Sequence, residues 1–170
     1  LSDIAINSSQ FELSDTFLKV ADTIKPFSTK LLIRKVNNFI KIGYFEKAHS
    51  LIKRFYYEQN LYDDLKDNPK ILSYFSNILL TVFADYEGSL KLSLDSIKRF
   101  PKIEEGYKSL AENYIYFYGD LLQGRRILIE SINKFHSTLL AESYIKSFFL
   151  NNPKAGLYEL IKLKKAGLFS

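Results

Sequence analysis

Apolar residues recur three or four positions apart along nearly the whole chain, and no segment alternates with the period of two that a half-buried strand needs. This spacing predicts helices over about 9–24, 28–42, 46–59, 69–83, 86–100, 103–117, 121–135, 138–150 and 153–165. The first carries Phe11, Phe17, Leu18, Ala21 and Ile24 on one side, the second Leu32, Val36, Phe39 and Ile40, and the third Ala48, Leu51, Ile52, Phe55 and Tyr56. Lys25-Pro26 stops the first helix, because the residue before a proline is pushed out of the helical region. Ser28 is placed to cap the second helix and Gly43 to end it in the left-handed conformation. Asn68-Pro69 and Asn152-Pro153 each pair a capping side chain with a proline at the first helical position. Gly167 ends the last helix, with Leu168 placed to fold back on its final turn. Residues 1–8 form a polar lead-in or linker, and 61–67 is the one irregular interruption. Turns of two to four residues favour antiparallel neighbours. The expectation is an all-α chain with a single domain over 9–170.

Two stretches follow one plan. Leu72 to Pro101 and Tyr107 to His136 each run apolar helix, Asp-bearing turn, and a second helix ending in Phe; the turn aspartates Asp85 and Asp120 stand 35 residues apart. A period in that range marks stacked helical hairpins that bury their apolar faces on one another.

The turn chemistry resembles that of tetratricopeptide (TPR) repeats. Gly43-Tyr44-Phe45-Glu46-Lys47-Ala48 has the glycine, the aromatic and acidic residues, and the small alanine of the family's inter-helix turn. Ala84-Asp85-Tyr86-Glu87-Gly88-Ser89 is similar, with Ser89 as the small residue and Pro101 at the repeat-closing position, and Gly119-Asp120 with Gly124 supplies a third turn. Departures are visible: Val36 replaces a small residue, about six extra residues near Leu61 to Lys66 separate units one and two, and units two and three each carry an extra residue before the Asp. The resemblance implies a right-handed α-α superhelix, a degenerate TPR-like solenoid of about nine helices, with units near 29–62, 69–103, 104–137 and 138–166. It also implies a concave groove lined by the first helix of each unit. Carried over, the groove positions are Lys30, Ile33, Arg34, Asn37 and Lys41; then Lys70, Ser73, Tyr74 and Asn77; then Glu105, Lys108, Ser109 and Glu112. Tyr74, Glu105 and Ser109 stand where a carboxylate-clamping member would need Asn, Lys and Arg, so that clamp is not expected.

Lys30, Arg34, Asn37 and Lys41 share one helix face by spacing alone, and lysine, arginine and asparagine suit carboxylates and peptide backbone. The groove so drawn is basic at unit one and acidic at unit three. A second candidate surface is Tyr56, Tyr57, Leu61 and Tyr62, beside the irregular stretch; tyrosine suits an interface because it joins a large apolar ring to a polar tip. Tyr114, Tyr116 and Tyr118 crowd another helix. In the last helix, Leu157, Leu160, Ile161 and Leu163 read as a buried face opposite Lys162, Lys164 and Lys165, or as a surface that pairs subunits.

Composition narrows the function. The 170 residues are 46% hydrophobic and 25% charged, the balance of a globular protein. The net charge of +5 invites nucleic acid as a partner, but the basic residues are scattered, usually one or two at a time, among acidic ones, so nucleic acid is a lesser alternative. With no cysteine there are no thiolate sites. Neither His49 nor His136 stands near a nucleophile, no phosphate-binding glycine loop occurs, and Asp63, Asp64 and Asp67 lack the glycine and terminal glutamate of a calcium loop. No enzyme activity, cofactor or metal is therefore expected. The most apolar run, Ile78 to Ala84, falls far short of a bilayer span. Without a methionine the chain does not start at an initiator, which raises the expectation of a leader or membrane anchor upstream and of the cell envelope ahead of the cytoplasm. The expected role is to hold another protein, as a scaffold or adaptor in a bacterial assembly; a homo-oligomeric structural element is the other alternative.

Overall fold

The computed structural model describes residues 11–24, 28–57 and 68–168. Among them lie nine helices: α1 (Phe11–Ile24), α2 (Thr29–Ile42), α3 (Phe45–Tyr57), α4 (Ile71–Thr81), α5 (Tyr86–Arg99), α6 (Glu104–Glu112), α7 (Leu121–Phe135), α8 (Thr138–Phe149) and α9 (Pro153–Lys165). A π-helical turn, Asn113–Phe117, continues α6, and the described residues contain no strand. The chain divides into two compact units, Leu1–Ile71 and Leu72–Ser170.

In the first unit α2 packs against both α1 and α3. Leu18, Val36, Ala48, Ile52 and Phe55 are buried, as their spacing requires. Gly43 ends α2 at φ 88°, with its N–H on Ile40 O and the Tyr44 N–H on Phe39 O (2.8 Å). An L side chain is strained at that φ, which is why glycine stands there. Three expectations change. Ile24, assigned to the inner side of the first helix, is 79% exposed on its last residue. Ser28 occupies the capping position of α2, but its side chain makes no capping hydrogen bond. Asn68, Pro69 and Lys70 form a turn, with the Ile71 N–H on Asn68 O (3.2 Å), so the next helix begins at Ile71 and not at Pro69. The lead-in 1–8, the Lys25-Pro26 stop and the 61–67 interruption lie outside the described residues.

The second unit is built of hairpins α4/α5, α6/α7 and α8/α9. Their turns are closely alike. Asp85 and Asp120 each accept a hydrogen bond from the backbone three residues on, at Gly88 N (3.0 Å) and Gln123 N (2.9 Å), and Asn152 does the same to Ala155 N (3.1 Å). Each cap satisfies an N–H that the first helical turn leaves unpaired. Asp85 N–H and Asp120 N–H also reach back six residues, to Leu79 O (2.8 Å) and Tyr114 O (2.9 Å), whereas the α2/α3 turn closes over five. The extra residue read in units two and three is thus absorbed by a wider turn, with Ala84 (φ 51°) or Gly119 (φ 67°) in the left-handed region just before the cap.

Four residues after each turn's entry comes a small buried residue: Ala48, Ser89, Gly124 and Gly156. Here the hairpin's two helices approach most closely. A Cβ on Gly124 would lie 2.9 Å from Ala111 O and run into Ile115. In hairpin α4/α5 the crossing is polar. Ser76 Oγ lies 3.0 Å from Ser89 Oγ and 2.7 Å from Ser93 Oγ, and Ser73 Oγ lies 3.0 Å from Ser96 Oγ. Asn113 on the π turn donates to Ser89 Oγ (3.0 Å) and Ser109 O (2.8 Å), tying α6 to the same network. Small hydroxyls allow close packing while pairing polar atoms that burial would otherwise penalise. Further along, Ala111, Ile115, Leu128, Ile132, Leu140, Ala141, Tyr144, Ile145 and Leu163 form one apolar core, with Leu168 packed against it. The Leu168 N–H reaches Leu163 O (2.9 Å) behind Gly167 (φ 69°), the fold-back expected from the sequence.

Candidate partner-binding face

The first helices α4 and α6 of the second unit carry most of the positions that the resemblance to TPR repeats assigns to a groove, and α8 is the first helix of the hairpin that follows. On α4, Tyr74 is half-buried with its ring 5.6 Å from that of Phe75, and Asn77 is exposed. On α6, Lys108 Nζ pairs with Glu112 Oε1 at 2.7 Å, and both side chains are largely covered. Ser143 Oγ of α8 reaches the same carboxylate oxygen at 3.5 Å. Glu142 and Lys146 form a more exposed pair at 3.4 Å. Tyr116, on the π turn, is 53% exposed; its phenol is raised above the ordinary value, first by partial burial and then by the Glu112 carboxylate. The acidity expected at unit three is therefore partly neutralised by Lys108. The helices offer Tyr74 and Asn77 on α4 and Tyr116 near the Lys108–Glu112 pair on α6, chemistry suited to a peptide backbone and apolar side chains. Ser73 and Ser109, also assigned to the groove, are buried in the serine network.

Glu105 is half-buried in the first turn of α6, and the remaining assigned residues lie in the first unit. Lys30, Arg34 and Lys41 are exposed along α2 and Asn37 is half-buried beside them; Lys70 is exposed in the turn before α4. On α3 the rings of Tyr56 and Tyr57 meet edge to face at 5.0 Å, with Tyr57 61% exposed. Leu61 and Tyr62 lie outside the described residues. In α9, Leu163 is buried and Leu160 partly so, but Leu157 and Ile161 are more than half exposed, along with Tyr158. The four apolar residues read as one buried face are thus split, since Leu157 and Ile161, four apart, share a different side of the helix.

Sequence spacing misses two features. Arg125 of α7 donates to Ser147 Oγ (3.0 Å), Ser147 O (2.7 Å) and Asn151 Oδ1 (2.8 Å), and its guanidinium lies 3.8 Å from the Phe148 ring centroid. It pins α7 to the α8/α9 turn; burial lowers its pKa from the ordinary value, opposed by Tyr144. Tyr86 and Phe117 stack with centroids 3.5 Å apart, bridging two successive hairpin turns. Both join residues more than twenty positions apart, which no local pattern encodes.

No family model matches this chain, and no curated protein matches it. By structure it is similar to PilF of Pseudomonas aeruginosa, with a TM-score of 0.64 and 13% identity, covering 99% of this chain and 72% of that one. That likeness concerns the fold: an all-α, TPR-like array of helical hairpins. Among the described residues no helix is long and apolar enough to cross a membrane.

Proposed function

We propose that this chain is a non-enzymatic interaction module, holding a protein partner on the first-helix face of its second unit as a scaffold or adaptor in a bacterial assembly. The observation that carries the reading is the Lys108–Glu112 pair with Tyr116 near its carboxylate, on a helix hydrogen-bonded to the one that carries Tyr74 and Asn77, where the hairpin crossings are locked by small buried residues. A face held rigid before binding loses little conformational entropy on association. The likeness to a bacterial protein of TPR type is consistent with such a role.

The test is quantitative capture with the whole chain as bait. Tyr116→Ala combined with Asn77→Ala should reduce recovery of a specific partner about tenfold, because aromatic anchors dominate such interfaces. Undiminished recovery from a folded double variant would rule this face out. A second reading rests on Leu157, Tyr158 and Ile161, exposed together on α9. If they pair two copies of the chain, sedimentation across a concentration series will show a dimer that Ile161→Glu abolishes.

A further inference from the structure

Between the second helices α5 and α7, with α6 beneath, lies a cleft of about 350 Å³. Its apolar walls are Leu94, which is 50% exposed, Ile97, Leu110 and Ile127, with Ser131 and Glu130 also on the α7 side. One end is closed by Lys134. Its ammonium donates to Pro101 O (2.8 Å) and Tyr107 Oη (2.8 Å) and lies 4.6 and 4.8 Å from the ring centroids of Tyr107 and Phe135. These partners are all neutral: the cation is fixed in place, yet no carboxylate among the described residues compensates it. Lys98 and Lys102, outside the cleft lining, are both exposed; Lys98 follows Leu94 by one helical turn, and Lys102 follows Pro101, whose carbonyl holds Lys134. The neighbouring acids are already engaged, Glu130 by Arg126 at 2.9 Å and Asp95 by Arg99 at 3.7 Å, while Glu104 sits half-buried at the start of α6. The result is an apolar trough with surplus positive charge at one end.

We propose that this cleft docks an acidic amphipathic helix of a partner protein, its leucine-type side chains seated between Leu94 and Ile127 and its carboxylates on Lys134, Lys98 and Lys102. Charge complementarity selects the occupant. A pre-positioned ammonium lacking an anion is worth most to a ligand that brings one, and three lysines spread around one end suit several carboxylates rather than one. The α7 side of the trough, Ile127 to Lys134, runs about 10 Å, two helical turns, which matches anchors at i and i+4. This proposal is independent of the first-helix face and survives or fails without it.

The probe is a fluorescein-labelled, end-capped peptide of about 16 residues with Leu at i, i+4 and i+7 and Glu in the turn that follows, titrated against the whole chain by anisotropy. Saturable binding is expected, weakened about tenfold by Leu94→Asp, by Lys134→Met and by replacing the peptide's Glu with Lys, and weakened also by added salt. Circular dichroism checks that the variants fold; should Leu94→Asp unfold the chain, Lys98→Glu combined with Lys102→Glu on the surface makes the same test. Absence of saturable binding, or binding indifferent to these changes, would overturn the proposal. So would dodecanoate occupying the cleft where the peptide does not, which would assign it to a lipid acid.

Discussion

Gly124 shows how much a single missing side chain decides. Nothing larger than hydrogen fits between Ala111 O and Ile115, so Gly124→Val should destabilise the second unit by about 1–3 kcal/mol, measured as a lower midpoint in chemical denaturation. Its small size was legible from the turn pattern, as was that of Ala48 and Ser89; the hydrogen-bonded serines around Ser76 were not, because their partners lie 13 to 23 residues away on another helix. Tyr144 carries a second residue-scale consequence. Burial, then the Glu159 carboxylate 3.3 Å from its hydroxyl, push the phenol up to about 12 from an ordinary value of 10.0, with Arg125 pulling the other way. A raised folded-state pKa means the neutral phenol is favoured by folding. Its contribution is complete below the unfolded value and is lost as pH climbs from about 10 towards 12. Tyr144→Phe, which cannot ionise, should therefore lose less stability than the parent across that window, read by urea denaturation at stepped pH; parallel curves would refute the assignment.

At the scale of elements, the two wide turns make a matched experiment. Ala84 and Gly119 hold the same left-handed position before Asp85 and Asp120, 35 residues apart, but only one of them is a glycine. Ala84→Gly should raise the thermal midpoint and Gly119→Ala lower it, each by the equivalent of roughly 1 kcal/mol, since an L side chain is strained there. The helices themselves were readable from periodicity, most closely α7 (Leu121–Phe135) and α9 (Pro153–Lys165), whose Asp120 and Asn152-Pro153 starts carry strong local signals. Less readable was the π turn at Asn113–Phe117. Periodicity reports only that Tyr114, Tyr116 and Tyr118 crowd one stretch, whereas the turn depends on the Tyr118 N–H choosing Asn113 O over a nearer carbonyl. The start of α4 departs from the sequence expectation for a related reason: an Asn-Pro pair opens a helix at α9 but forms a turn at Asn68-Pro69, so the same local signal has two outcomes.

At the scale of the molecule, hairpins at a fixed period produce faces, and the faces carry the functional reading. The resemblance to TPR repeats supplies Tyr74, Asn77, Lys108 and Glu112 as candidates, but the same carry-over names Ser73 and Ser109, which are buried; the Lys108–Glu112–Ser143 contact and the cleft at Leu94 are each assembled from more than one helix, which no single-helix pattern encodes. The central claim is that a protein partner sits on the first-helix face. Site-specific photo-crosslinking tests it most directly, with a benzophenone side chain placed singly at Asn77, Tyr116 and Lys146, and at Leu122 and Lys154 as controls on the second helices. A discrete heavier adduct from the first three positions and none from the controls is the predicted result; adducts confined to the controls, or none from Asn77 and Tyr116 in a folded protein that still captures its partner, would contradict it.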